Sequence, residues 1–151
     1  MSNDQERNRQ QQPMRMLFLC THNSSRSQMA EGLLRARGGD HYAVFSAGTH
    51  PRGVHPLAIQ VMREIGIDIS EAAGHRAKSL DEFKGQPPMD LVVTVCDDAA
   101  EECPYFPGAR RQEHWGFPDP SAATGSEEER LAAFRSVRDS ISRRIERFIN
   151  A

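Results

Sequence analysis

Cys20 is followed by Thr21, His22, Asn23, Ser24, Ser25, Arg26 and Ser27, and these eight residues hold the parts of an oxyanion site. A cysteine is a nucleophile once it is a thiolate. An arginine six positions on supplies a planar fork of donors suited to a tetrahedral anion. Hydroxyls and an asparagine stand between them, and asparagine tolerates the left-handed backbone angles that a tight anion loop needs. If the segment joins a strand to a helix, successive backbone N–H groups point into one concavity, where the helix dipole adds positive potential. That field favours thiolate over thiol, so one loop binds an oxyanion and aims a nucleophile at its central atom. Taken alone, Cys20 reads as a buried strand-end thiol and Arg26 as a surface charge. Their spacing, the neighbouring serine and the strand-to-helix context favour the chemistry.

Cys96 and Cys103 stand seven positions apart. The spacing is too wide for a Cys-x-x-Cys zinc knuckle and no matching second pair exists. His22, His41, His50, His55, His75 and His114 show no metal-ligand spacing either, so no metal is expected. Two readings of the cysteine pair stay open: unrelated structural thiols, or redox partners. The DDAAEE between them is polar and loop-like or marginally helical, and a disulfide would require the two thiols to approach closely. Asp119, in GFPDP, suits either a turn or proton delivery to a leaving group. Glu31 lies one helical turn beyond Ser27, as a solvated charge or as a support for the loop.

The elements that must position these groups alternate. Met14 to Leu19 (MRMLFL) reads as a buried strand, and Ser27 to Arg37 as a helix ended by Gly38-Gly39. Tyr42 to Ser46 is a second strand. Pro56 to Ile65 is a helix with Pro56 in its first turn. Leu80 to Phe83 is a short helix, Leu91 to Val95 the strongest strand, and Arg110 to Trp115 a weaker one. Ser126 to Glu129 has the capping-box form. Leu131, Phe134, Val137, Ile141, Ile145 and Phe148 then make one apolar stripe of a long helix. The alternation predicts an α/β domain with a mainly parallel four-stranded sheet flanked by helices on both faces. Such sheets bind ligands at the carboxyl ends of their strands, where Cys20 and Cys96 fall.

Composition bounds the function. The chain has 151 residues, with Lys+Arg 19 against Asp+Glu 21 and a net charge of -2. One domain of that size builds its own core. The charge balance argues against nucleic-acid partners and acidic membranes, and no apolar run reaches a membrane span. Residues 1–12 are polar and rich in Gln; they read as a disordered tail before a domain spanning 13–151. Three cysteines without an export signal read as thiols, which places the chain in the cytoplasm.

The segment CTHNSSRSQMAEG resembles the active-site loop of the low-molecular-weight protein tyrosine phosphatase fold. Its extension through Gln28, Met29, Ala30, Glu31 and Gly32 is similar to that of the thioredoxin-coupled arsenate reductases built on that fold. FSAGTHPRGVHPLAI, GIDIS, DLVVTVCDDAAEECP and EHWGFPDP carry the resemblance from about Met14 to Phe148. It implies three thiols acting in series. Cys20 attacks arsenate, Cys96 attacks Cys20, and Cys103 attacks Cys96, leaving a Cys96–Cys103 disulfide for thioredoxin to reduce. It also implies Arg26 as anion clamp, Asp119 as general acid, and Asn23, Ser27, Glu31 and Ser46 as loop support, to which Lys78 is added as this sequence's own departure from the pattern. Thioredoxin is then an external reductant, no cofactor is bound, phosphate or sulfate competes with arsenate, and the enzyme is a monomer. Some family members hold potassium at positions matching Asn23, Glu31 and Ser46 plus a carboxylate after GIDIS. Here Lys78 falls near that carboxylate, so potassium independence is expected. The alternative within the resemblance is a tyrosine phosphatase using Cys20, Arg26 and Asp119. Pro120-Ser121-Ala122 lacks the aromatic residues such phosphatases place there. A non-enzymatic oxyanion or redox sensor is the third reading.

Overall fold

The computed structural model describes residues 12–97 and 103–151. The tail assigned to residues 1–12 lies outside these, Gln12 apart, as does most of the DDAAEE segment. Four strands form one sheet: β1 (Met14–Cys20), β2 (Tyr42–Gly48), β3 (Leu91–Thr94) and β4 (Gln112–His114), in spatial order β2-β1-β3-β4. Every pairing is parallel, with Cys20 opposite Gly48, Leu19 opposite Thr94, and Thr94 opposite His114. Three α-helices accompany the sheet among the described residues: α1 (Arg26–Gly38), α2 (Pro56–Arg63) and α3 (Glu127–Ile149).

Alternation along β1 divides the interior in two. Met16 and Phe18 face a core built with Met29, Leu33 and Leu34 of α1, Leu57, Val61 and Met62 of α2, and the stripe Leu131, Phe134, Val137, Ile141 and Ile145 of α3. Leu17 and Leu19 face the other way, against Phe83, Met89, Val92 and Phe106. The helical cover of that second face is the one-turn 3-10 helix Leu80–Phe83. A strand apolar on both faces is what a central parallel strand requires, and MRMLFLC satisfies it.

The ends of the helices follow their sequence signals. Ser126 accepts from the Glu129 N–H at 3.1 Å, the N-cap bond of α3, and its hydroxyl in turn donates to the Glu129 carboxylate at 3.2 Å. Pro56 occupies the first turn of α2, which stops at Arg63 rather than Ile65, because the chain turns through Gly66 at φ +80°. β4 is shorter than the expected strand because only Gln112–His114 pair with β3. Arg138 ties α3 to α2, donating to the Val61 carbonyl and to Glu64, both at 2.8 Å.

Candidate active site

The loop between β1 and α1 closes around the Cys20 sulfur. Asn23 N–H approaches Sγ at 3.2 Å, and the Ser27 hydroxyl at 2.8 Å. Asn23 takes φ +48°, the only positive value at a non-glycine among the described residues. Its side chain donates to Ser27 Oγ at 2.8 Å, so the hydroxyl that meets the sulfur is itself held. Its Oδ1 accepts from the Lys78 N–H at 2.9 Å.

The outer side of the loop is fastened by its carbonyls. Thr21, His22 and Ser24 accept backbone N–H bonds from His50, Arg52 and His55 at 2.8, 2.9 and 3.0 Å. With those carbonyls turned outward, the loop's N–H groups are directed to the concave side. Ser25, the N-cap of α1, makes no side-chain cap, and the first turn carries no acidic residue. A helix end of this kind attracts negative charge. Gly48 makes the close fit possible: a Cβ there would stand 2.6 Å from the Thr21 carbonyl and 2.8 Å from Asn23 N.

Arg26 and Asp119 meet across the mouth. Arg26 is buried, donates through Nη1 to the Phe117 carbonyl at 3.2 Å, and places Nη2 3.9 Å from Asp119 Oδ2. The other oxygen, Oδ1, accepts from the Ser121 N–H at 2.9 Å and hydroxyl at 2.7 Å. One oxygen of Asp119 thus holds its own turn, and the other faces Arg26. A cleft of about 280 Å³ results, lined by Cys20, His22, Ser24, Ser25, Arg26, Arg52, His55, Asp119 and Ser121. Arg52 and His55 escaped the sequence reading, because neither lies in the loop motif. They arrive from the segment that fastens it. His55 accepts from Leu57 N–H through Nδ1 and stacks on Phe134 at 4.7 Å. Burial first, and Arg130 second, hold its pKa below the usual imidazole value, while Asp119 opposes them.

Behind the loop lies a buried polar cluster. Glu31 accepts from Ser46 Oγ at 2.9 Å, with Arg35 at 3.2 Å, His75 at 3.1 Å and Lys78 Nζ at 3.9 Å. This decides against the solvated-charge reading of Glu31, which is buried. Lys78 anchors its ammonium on the Arg76 carbonyl at 2.7 Å, and burial lowers its pKa. Gln28 bridges inward, donating to Asn23 Oδ1 at 3.1 Å and to the Arg76 carbonyl at 2.8 Å. His75 and Gln28 are supports the sequence did not reveal.

Cys96 and Cys103 are joined in a disulfide, while Cys20 is a free, buried thiol. Cys103 borders a second cleft that shares His22 and Asp119 with the first, so Cys20 and Cys103 open on one side of the molecule. His114, at the end of β4, brings a ring nitrogen within 4.8 Å of both sulfurs. This is the one Cys/His/carboxylate group with metal-like spacing among the described residues. In a disulfide neither sulfur is the thiolate that a metal needs.

The low molecular weight phosphotyrosine protein phosphatase family model matches residues 15–151. Arsenate reductases of Bacillus licheniformis and Bacillus subtilis are 49% and 48% identical over 131 residues, covering 87% of this chain and 91% of theirs. The chain belongs to the arsenate reductases of this phosphatase family. A solved arsenate reductase in a phosphate-binding state superposes with TM-score 0.74 at 34% identity, over 91% of this chain and 97% of that one. A thioredoxin-dependent arsenate reductase from Corynebacterium glutamicum gives TM-score 0.57 at 27% identity, over 90% of this chain and 63% of the other. No helix among the described residues is long and apolar enough to cross a membrane.

Proposed function

We propose that the protein reduces arsenate to arsenite by passing oxidation through its three cysteines and handing it to thioredoxin. The observation that carries this reading is a Cys96–Cys103 disulfide whose Cys103 opens on the same side as a reduced Cys20 seated in an oxyanion loop. Arsenate sits on the loop N–H groups and the Arg26 guanidinium. Cys20 thiolate, held by Asn23 N–H and Ser27, attacks arsenic. Asp119, on the Arg26 side, delivers the proton with which one oxygen leaves as water. Cys96 thiolate attacks the Cys20 sulfur. The Cys20–arsenic bond breaks, arsenic keeps the electron pair, and arsenite departs. Cys103 then attacks Cys96, restores Cys20 thiolate, and moves the disulfide to the pair seen here.

Cys96 is buried whereas Cys103 is only part-buried, so an external dithiol such as thioredoxin attacks Cys103. The cycle suits a reducing compartment, and we place a monomeric enzyme in the cytoplasm. Phosphate and sulfate occupy the same loop as competitors, because selectivity for arsenate lies in the ease of reducing arsenic(V).

A free-thiol count tests the reading. Fully reduced, anaerobic protein is exposed to arsenate, with phosphate as control. The three thiols should fall to one with arsenate alone. Retention of all three would leave the phosphatase reading of Cys20, Arg26 and Asp119, to be tried on a phosphoester. In Cys103→Ser a single turnover should occur and stall with Cys20 bonded to Cys96.

A further inference from the structure

We propose that Arg52 is a second anion-binding arginine of the site, whose guanidinium takes the arsenate oxygen left facing away from the loop. The inference rests on the reading of that loop as an arsenate site. It adds a residue that lies outside the loop motif.

Arg52 belongs to a strap, residues 49–55, that runs from the end of β2 to α2. The strap is bonded to the anion loop on both sides of Arg52. His50, Arg52 and His55 donate their N–H groups to the Thr21, His22 and Ser24 carbonyls at 2.8, 2.9 and 3.0 Å. Ser24 Oγ donates back to the Gly53 carbonyl at 2.9 Å. The backbone of Arg52 is thereby fixed against the Cys20 loop, and the residue lines the same cleft as Cys20, Arg26 and Asp119. Arg52 is exposed, and its guanidinium enters no hydrogen bond or ion pair among the described residues. Other arginines are occupied: Arg76 by Glu82, Arg135 by Glu64, and Arg26 in part by the Phe117 carbonyl and Asp119. A fixed base with a free, long side chain is what a rim ligand requires.

Charge gives Arg52 its task. Cys20 reacts as a thiolate, and that charge offsets Arg26. Asp119 faces the same guanidinium at 3.9 Å. Arsenate above neutral pH is mainly a dianion, and it must approach the thiolate closely. The loop N–H groups supply partial charge only. His55, also on the cleft, adds none near neutrality, because burial and then Arg130 hold its pKa below the usual imidazole value. Arg52 is the remaining full positive charge on the cleft lining, and a tetrahedral anion seated on the loop keeps an oxygen turned towards the mouth.

The test titrates inorganic phosphate into reduced full-length protein by calorimetry, at low and at high salt. Arg52→Gln should weaken phosphate about fivefold at low salt, the upper range for an exposed ion pair. Arg52→Glu should weaken it further, and Arg52→Lys should recover the wild-type affinity to within about twofold. The Arg52→Gln deficit should shrink as salt screens the charge. In the thioredoxin-coupled assay the same variant should raise KM for arsenate more than it lowers kcat. Equal phosphate affinity in wild type and Arg52→Gln at low salt would overturn the proposal. So would a loss that Arg52→Lys does not recover and salt does not alter, which would make Arg52 a part of the strap and no ligand of the anion. Phosphate binding uses neither the Cys96–Cys103 pair nor thioredoxin. Failure here therefore leaves the relay standing, and failure of the thiol count leaves this assignment standing.

Discussion

Asn23 bonds in three directions from within the anion loop. Its N–H meets the nucleophilic sulfur, its amide holds Ser27, and its Oδ1 takes the Lys78 N–H. It does so at φ +48°, a conformation alanine adopts only with strain. Asn23→Ala should therefore lower kcat/KM for arsenate about tenfold or more, chiefly through a misplaced Ser27 hydroxyl, measured in a thioredoxin-coupled assay. Lys78 raises a separate question at the same scale. Its ammonium shares Glu31 with the Arg35 guanidinium, so the carboxylate already has cationic partners and a further monovalent cation would meet repulsion. Exchanging sodium for potassium at constant ionic strength should leave kcat and KM unchanged within twofold. A several-fold rise with potassium would show that the ammonium does not take the cation's place.

Elements, rather than single side chains, account for what could be read in the sequence. β1, α1, β2 and α3 were legible because each carries its own period and its own stop: the apolar MRMLFL run, the Gly38-Gly39 break, the Ser126 capping box. The anion loop was legible because its parts are contiguous. Arg52, His55 and His75 were not, because each reaches its place only through tertiary packing. Arg52 and His55 arrive through backbone bonds to the loop carbonyls. The Cys96–Cys103 pairing depended on family resemblance, since seven intervening positions dictate no geometry.

Gly48 connects these levels. It ends β2 opposite Cys20, donates its N–H to the Lys78 carbonyl at 2.9 Å, and would drive a Cβ into the Thr21 and Asn23 backbone. The obstructing atoms are backbone, so the loop must move as a unit. Gly48→Ala should weaken phosphate competition against arsenate at least about fivefold while the far-ultraviolet dichroism stays native. Unaltered inhibition by phosphate would mean that the loop is shaped from α1 alone.

For the whole molecule, burial of neutral imidazoles beneath the site makes stability depend on pH. His75 is buried between Gln28 Oε1 and Glu31 Oε2, both at 3.1 Å. Burial is the largest cause of its lowered pKa, Arg35 and Lys78 add to it, and Glu31 opposes it. His55 is lowered for a similar reason, burial first and Arg130 next. In the unfolded chain both titrate near 6.5. As pH falls through that value, the unfolded chain takes up protons that the native state still refuses, and stability declines until the lower folded pKa values are reached. Above about 6.5 the contribution is fully present. Carboxylates held low by arginine partners, such as Glu64 by Arg135 and Arg138, lose their contribution only at more acid pH, so the two phases separate. The melting temperature of the oxidised protein should fall from pH 7 to 5.5, and His75→Gln, which keeps polar atoms near Gln28 and Glu31, should reduce that slope. A melting temperature flat or rising over the interval would mean that the cavity behind the loop accepts the imidazolium. Glu31 would then be its counter-ion, with Lys78 displaced from the cluster.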